Sequence, residues 1–409
     1  MYPARGRTSK LMITLFWLAF LIFLFPVGYL LLLALSSARA SAFPKISGLK
    51  PSHHFAIALP AHSEERVIGD TVSKLLDSSY PKDLFDVYVV ADHCTDQTAA
   101  VAQRAGALVH ERFEGARTGK GAALSWLFKR ILSHDDYDAI VIFDADSQVD
   151  PDFLRVMDAR LAQGDLIIQG QHIIRNPDQG WFPALTWAMF LIDNRFQNLG
   201  RSNLGLSAKN MGDSICLHAE VIRKVGWGSG LTEDYELRQR LLLEGLKIRY
   251  EPRAKGYGEA PLTWSQANSQ RARWLRGTRD ANKQYARKLI IEGLKRRDMA
   301  LLEAAMQAYF PSYSTLALVG TFILLVQLLY NFGIYPLFPT PLVTAWGLIV
   351  GIMFVYPFGG LILEGAPLRA YIAILLGPFF IVWRTLLAVT ARYSRQSARW
   401  IRTPHGEKR

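Results

Sequence analysis

The sequence predicts an open α/β sheet carried between membrane-spanning helices. Three observations support this: short apolar strands alternating with helices over residues ~50–290, one long uncharged run before them, and a second apolar region after them. The chain has 409 residues, with 47 Lys+Arg against 35 Asp+Glu. Half of it is hydrophobic and it has two cysteines. It is too apolar for a disordered chain and too poor in cysteine for a disulfide scaffold.

Residues 11–38 carry no charge. Leu11–Leu35 is long enough to span, roughly 37 Å as helix. A cleaved signal peptide is the competing reading, because small residues follow at Ala38–Ala42. A signal's apolar core is shorter, about 7–15 residues, so a retained helix is expected. The second apolar region, Tyr309–Thr390, divides at two Pro/Gly turns into Ser314–Tyr330, Leu342–Leu363 and Leu368–Thr390. The expected organisation is an anchor over 1–49, a catalytic domain over 50–290 and a membrane bundle with a basic tail over 291–409.

The net charge of +12 sits beside these segments. Residues 1–10, 36–50, 287–298 and 391–409 carry +3, +3, +3 and +5, leaving the rest slightly acidic. That pattern suits lipid headgroups and topology control, not nucleic acid.

Within the central domain, strands are expected at His54–Leu59, Asp86–Ala91, Leu108–His110 and Asp138–Phe143. Helices are expected at Glu64–Leu76, Thr98–Ala105, Gly121–Leu132, Tyr235–Leu243 and Thr263–Lys288. Continuous apolar strands imply a mostly parallel sheet covered on both faces. Its ligand then lies beyond the carboxyl ends of the strands. Those ends read Pro60-Ala61-His62-Ser63-Glu64, Asp92-His93-Cys94 and Asp144-Ala145-Asp146. No G-x-G-x-x-G follows a strand and no complete P-loop is present, so nicotinamide and P-loop chemistry are excluded. Asp150-Pro151-Asp152 reads as a helix cap with proline at the first position.

Two carboxylates around the Asp144–Asp146 turn suit a hard divalent cation. The same pair also fits a plain turn. Thr232-Glu233-Asp234 opens a helix, where acids are stabilised in any case. Gln270, Arg273 and Trp274 fall at i, i+3 and i+4 of one helix face. An amide, a guanidinium and an indole there can hold an anion beside a sugar ring. An interfacial helix whose Arg271, Arg276 and Arg279 meet headgroups is the competing reading. No H-x-x-x-H or H-E-x-x-H argues for zinc. Trp181–Phe196 reads as a core or membrane-facing helix rather than a sugar platform, and Cys94 and Cys216 as free thiols.

Asp92, Asp144-Ala145-Asp146, Thr232-Glu233-Asp234 and Gln270-x-x-Arg273-Trp274, in this order between membrane segments, resemble the membrane-bound family 2 glycosyltransferases. Cellulose, chitin, hyaluronan and poly-N-acetylglucosamine synthases belong to that group, as does ceramide glucosyltransferase. The resemblance covers about residues 54–280. It implies a GT-A fold (Rossmann-like, mostly parallel), inversion at the anomeric carbon, a UDP-sugar donor and Mg²⁺ or Mn²⁺. By the matched positions Pro60 and Glu64 border the nucleotide and Asp92 meets the uridine. Ser63 stands where the family often has Asn. Lys120 lies near the donor, Asp144 contacts donor or metal, and Asp146 ligates the metal. Asp234 is the general base, with Glu233 beside it. Gln270, Arg273 and Trp274 hold the diphosphate and the acceptor end. Trp400-Ile401-Arg402-Thr403 resembles a further donor-side element or, equally, a headgroup anchor. The partners implied are a nucleotide sugar, a saccharide or lipid acceptor and membrane lipids, with no nucleic acid. Family usage favours poly- or oligosaccharide synthesis, with single transfer to a lipid as the alternative. The expected location is the inner (plasma) membrane with the catalytic domain cytosolic. Three C-terminal crossings would put the six-base tail on the opposite face, against the positive-inside tendency. An interfacial or re-entrant segment would relieve that conflict.

Overall fold

A computed structural model describes residues 4–39, 43, 46, 48–133, 137–228, 230–383 and 386. Trp400–Thr403 and the basic tail lie outside the described residues.

The chain begins in helix α1 (Ala4–Ser37). The α/β domain then runs through β1 (Phe55–Ala61), α2 (Ile68–Leu76), β2 (Phe85–Asp92), α3 (Thr98–Arg104) and β3 (Leu108–Arg112). It continues through α4 (Lys120–Ile131), β4 (Ala139–Ile142), β5 (Gln148–Val149), α5 (Phe153–Leu161) and β6 (Ile167–Ile174). Next come α6 (Trp181–Ile192), α7 (Gly200–Asn203), β7 (Ile215–His218), α8 (Ala219–Val225), α9 (Glu233–Leu243) and β8 (Arg249–Gly258). The last elements are α10 (Trp264–Arg296), α11 (Met299–Gln307), α12 (Tyr313–Gly333), α13 (Thr340–Leu363) and α14 (Leu368–Leu375).

The eight strands form one sheet in the order β3-β2-β1-β4-β7-β6-β8-β5. β1, β2, β3 and β4 are parallel to their neighbours within that half, as the apolar runs predicted. β7 runs antiparallel to both β4 and β6, and β5 antiparallel to β8, while β6 and β8 are parallel. β1 is central, and Phe55–Leu59 are fully buried. One apolar core packs α2 and α5 against one face, and a second packs α4 and α9 against the other. Burying side chains on both faces stabilises a central strand by about 1.5–3 kcal/mol for each large apolar residue. This sets the register that places Pro60, Asp92 and Asp144 at one rim.

Some boundaries differ from expectation. α2 begins at Ile68 rather than Glu64: residues 65–67 form a turn in which Val67 and Ile68 N–H both bond Glu64 O, and Glu64 N–H bonds Thr98 Oγ1 at 2.7 Å. α5 begins at Phe153, after Pro151. Asp150 makes a turn, its Oδ1 accepting from Asp152 N–H at 3.1 Å, and does not cap the helix.

Among the described residues, three helices are long and apolar enough to cross a membrane: Ser9–Ser37, Tyr313–Gly333 and Thr340–Leu363. Trp346 is fully buried and meets Phe20 and Phe23 edge-on, which ties α13 to α1. α12 and α13 are antiparallel: Tyr313, at the start of α12, stacks on Tyr356 near the end of α13, while Asn331 bonds Phe338 at the other end. Of the third expected crossing, Leu368–Thr390, residues 384–385 and 387–390 lie outside the described residues, and the described part is helical over Leu368–Leu375 and again over 377–383. α14 stops at Leu375, just before Gly377-Pro378, and packs on α6. Arg369 bonds Asp178 and Gln171 bonds Glu364, so the chain after α13 lies against the α/β domain.

Candidate active site

The rim formed by the ends of β1, β2 and β4 is one wall of a cleft of about 1220 Å³. The start of α9, and α10 as far as Arg287, also line it. Every residue singled out from the sequence lines it: Pro60, Glu64, Asp92, Lys120, Asp144, Asp146, Glu233, Asp234, Gln270, Arg273 and Trp274.

The turns at the strand ends are tight. Ser63 and His93 adopt left-handed backbones at φ 56° and 50°. Asn tolerates that conformation better than most residues, so the Ser63 departure changes the ease of the turn as well as a contact. His62 Nδ1 donates to the Asp92 carbonyl at 2.7 Å, tying the ends of β1 and β2. The Asp92 carboxylate is buried, and Arg112 and His93 both meet its Oδ1. Arg112 ends β3 and is the counter-ion that makes a buried Asp92 tolerable.

After β4, Asp144 N–H is held by Ser147 Oγ at 3.1 Å, which fixes the turn that turns Asp144 and Asp146 into the cleft. Lys120, at the start of α4, bonds Asp144 Oδ1 and donates to Gly212 O at 2.6 Å. Burial opposes the charge on Lys120, but Asp144 and Glu233 hold its pKa above the usual value.

Glu233 and Asp234 occupy the first turn of α9. Burial pushes Glu233 up to about 7, and the adjacent Asp234 charge adds to it, against Lys120 and Arg273. Burial also raises Asp234, partly offset by Tyr235 N–H, which donates to its Oδ1 at 2.8 Å. Gly212 faces this carboxylate with φ 85°; a Cβ there would lie 3.2 Å from Asp234 Oδ2. Only glycine combines that backbone with that clearance.

α10 is held against the loop before α9 by contact at one residue. A Cβ on Gly277 would lie 2.5 Å from Thr232 Oγ1 and 2.9 Å from its backbone N. Arg273 Nη1 also donates to Leu231 O at 3.2 Å. Gly277→Ala therefore pushes α10 off the Thr232–Asp234 turn. The expected result is a drop in turnover of about tenfold or more, from misplacement of the site, with the purified protein still folded by circular dichroism. Wild-type turnover would refute this.

Two features were not anticipated. His172, near the end of β6, lines the cleft and pairs with buried Asp213 at 2.8 Å. Burial disfavours its charge, but Asp213, with Asp144 and Asp146 further off, raises its pKa. A lone histidine in an apolar strand gives no signal of this, because its partner lies 41 positions away. Second, α6 continues into a π-helical stretch, Asp193–Leu199. Such stretches often mark functional sites. Phe182, Thr186, Phe190 and Asp193 line the cleft, so the aromatic helix, expected to be core or membrane-facing, serves both core and cleft.

The residues fit a divalent cation that shares its ligands with substrate. Asp144 and Asp146 are hard oxygen donors facing the cleft, and Lys120 already occupies one Asp144 oxygen. Among the described residues no group of three or more His, Cys, Asp or Glu is arranged to hold a metal ion. An ion here needs diphosphate oxygens and water to complete its shell, as Mg²⁺ commonly does.

Known proteins resemble this chain over the same region. The beta-monoglucosyldiacylglycerol synthase of Synechocystis sp. (strain ATCC 27184 / PCC 6803 / Kazusa) is 27% identical over 238 residues, covering 56% of this chain and 48% of that protein. The poly-beta-1,6-N-acetyl-D-glucosamine synthase of Staphylococcus epidermidis is 23% identical over 250 residues, covering 58% and 59%. The chain spans about half the length of the curated relatives it matches. In fold it is similar to the mannosyltransferase PcManGT of Pyrobaculum calidifontis, solved with GDP-Man and Mn²⁺: TM-score 0.54, 15% identity, 87% of this chain and 96% of that one. The profile of the family described as glycosyltransferase like family 2 matches residues 51–277, more than half of the chain. That span contains every motif on the cleft wall from Pro60 to Trp274, and the chain belongs to glycosyltransferase family 2.

Proposed function

We propose that the protein is an inverting glycosyltransferase in which Asp234 takes the proton from an acceptor hydroxyl. The acceptor oxygen bonds to the anomeric carbon of a nucleotide sugar, the bond to the diphosphate breaks, and the proton ends on Asp234. The observation that carries this is Asp234 itself. It is a half-buried carboxylate of raised pKa in the same cleft as the Asp144–Asp146 turn. One placed base suffices for inversion, whereas a retaining glycosidase pairs two carboxyl groups about the bond.

In this reading Pro60, Glu64 and Asp92 border the nucleotide, and a UDP-sugar is the donor. Lys120, Gln270 and Arg273 neutralise the diphosphate, and Trp274 offers its ring to the acceptor sugar or headgroup. Asp146, with Asp144, would hold Mg²⁺ or Mn²⁺. Such an ion supplies charge stabilisation to the leaving diphosphate when bound. The Mn²⁺ in the mannosyltransferase of similar fold supports this assignment.

The three apolar helices would anchor the enzyme in the plasma membrane with its domain on the cytosolic side. Lys288 and Lys295–Arg297, beside α12, support that orientation. α12 and α13 run antiparallel, so as a pair they return the chain to the domain's side. Among the described residues, none from α1, α12 or α13 lines the cleft, which ends at Gln307–Tyr309. Extrusion of a growing chain would need a path between those helices, where Trp346 fills the space. This favours single transfer to a lipid at the membrane surface. Poly- or oligosaccharide synthesis is the second reading, supported by the poly-N-acetylglucosamine synthase relative.

The test is incubation of membranes holding the full chain with labelled UDP-glucose, UDP-N-acetylglucosamine or GDP-mannose and Mg²⁺ or Mn²⁺. Labelled product is expected from one donor; none from any would sink the reading. The rate should also fall as pH drops through about 7, where the Glu233–Asp234 pair takes up a proton. Glu233→Gln removes the neighbouring charge, so the acid limb should move to lower pH. A limb that stays in place would show that this pair does not set it.

A further inference from the structure

We propose that the end of the cleft beyond Trp274 binds the anionic headgroup of a membrane lipid, and that this lipid is the acceptor. The inference rests on the glycosyl-transfer reading above and names its acceptor class.

The argument starts from α10. Arg276, Arg279, Lys283 and Arg287 recur at i, i+3, i+7 and i+11, so they share one face, and all four line the cleft. From Arg273 to Arg287 this face extends about 21 Å along the helix. That is far longer than a donor diphosphate, which Lys120 and Arg273 already meet at one end. Arg279, Lys283 and Arg287 are exposed and make no ion pair among the described residues. The one acid within this stretch, Asp280, does not line the cleft. A second anion is the ligand such a wall accommodates.

The position of this wall identifies the source of the anion. The cleft ends at Gln307, Ala308 and Tyr309, only four residues before the membrane-length helix α12 begins at Tyr313. Gln307 bonds Glu303, which also bonds Tyr29 of α1, so this end lies level with the membrane anchor. Tyr309, on the cleft wall at this end, is 68% exposed. An aromatic group in such a position sits in the headgroup layer. A lipid lying with its chains toward α12 and Tyr309 would present its charged headgroup to Lys283 and Arg287, and its hydroxyl toward Asp234.

The experiment uses the full chain in phosphatidylcholine vesicles. These are supplemented with either the anionic or the neutral ion-exchange fraction of total lipids from the source cells, together with labelled nucleotide sugar. Label is expected in organic-extractable product, about tenfold or more above the neutral arm when the anionic fraction is present. Arg279→Gln/Lys283→Gln/Arg287→Gln should raise the KM for that fraction by about tenfold or more, with the nucleotide KM unmoved. Should the triple variant not fold, Lys283→Gln must show a smaller rise in the same direction, reversed in Lys283→Arg. Label entering a neutral lipid or a water-soluble polymer would overturn the proposal, as would an unchanged lipid KM or a raised nucleotide KM. Absence of transfer from every donor into any product would instead overturn the glycosyl-transfer reading.

Discussion

Asp234→Asn is expected to lower transfer by at least about 10²–10⁴-fold, the range a positioned general base contributes. Nucleotide binding should stay near wild type. Asn keeps the shape of Asp at the first turn of α9, so Tyr235 N–H still finds an oxygen. The change removes the ability to take a proton and one negative charge of the Glu233–Asp234 pair. The proposed nucleotide site, at the Pro60–Asp92 rim, draws on other residues of the cleft. Titration of UDP by calorimetry, beside a transfer assay, separates the two effects. An equal loss of nucleotide affinity would mean that Asp234 holds the donor, and the base assignment would fail. The raised pKa of Asp234 sharpens the expectation, since burial makes its carboxylate a stronger base than an exposed one.

The second large effect is on stability. Glu303 is buried between two buried arginines, with Arg201 Nε at 2.7 Å and Arg238 Nη2 at 3.4 Å. Tyr29 and Gln307 donate to it as well. Burial pushes the Glu303 carboxyl up, but the two guanidiniums together hold it below its ordinary value. Glu303→Ala leaves both guanidiniums buried without their shared counter-charge, which costs about 3–5 kcal/mol. In detergent the melting temperature should drop on the order of 10 °C. Glu292→Ala, at an exposed pair with Lys295 and Arg296, is the control and should not move it measurably. A Glu303→Ala protein that melts with wild type would refute the account. This cluster joins α1, α7, α9 and α11, and Arg238 lies one turn beyond Asp234, so the anchor and the base helix share one electrostatic fixture.

Much of the fold was legible in the sequence. β1, β2 and β4 lie within two residues of their apolar runs, because a strand buried on both faces must be continuously apolar. The polar residues that end those runs line the cleft for the same reason: the strand ends are where the sheet stops covering them. Other features depend on pairs brought together from afar. Arg112 pairs with Asp92 from the next strand, and Asp213, just before β7, raises the pKa of His172 on β6. Neither partner has a sequence pattern, because a pairwise contact at long separation leaves no periodicity. In the third apolar segment composition does not show the break before Gly377-Pro378, where α14 stops at Leu375, or the apolar face of α6 that covers α14.

By itself, then, the sequence determined the family, the parallel half of the sheet and the residues of the cleft wall, since these follow from local pattern and ordered motifs. Only the tertiary structure decided that α12 and α13 pair antiparallel and that α14 packs on α6. It also set the burial that raises Glu233 and Asp234, and it turned one cationic face of α10 into the cleft. Each of these is a property of distance and solvent exclusion, and both are fixed only when the chain packs.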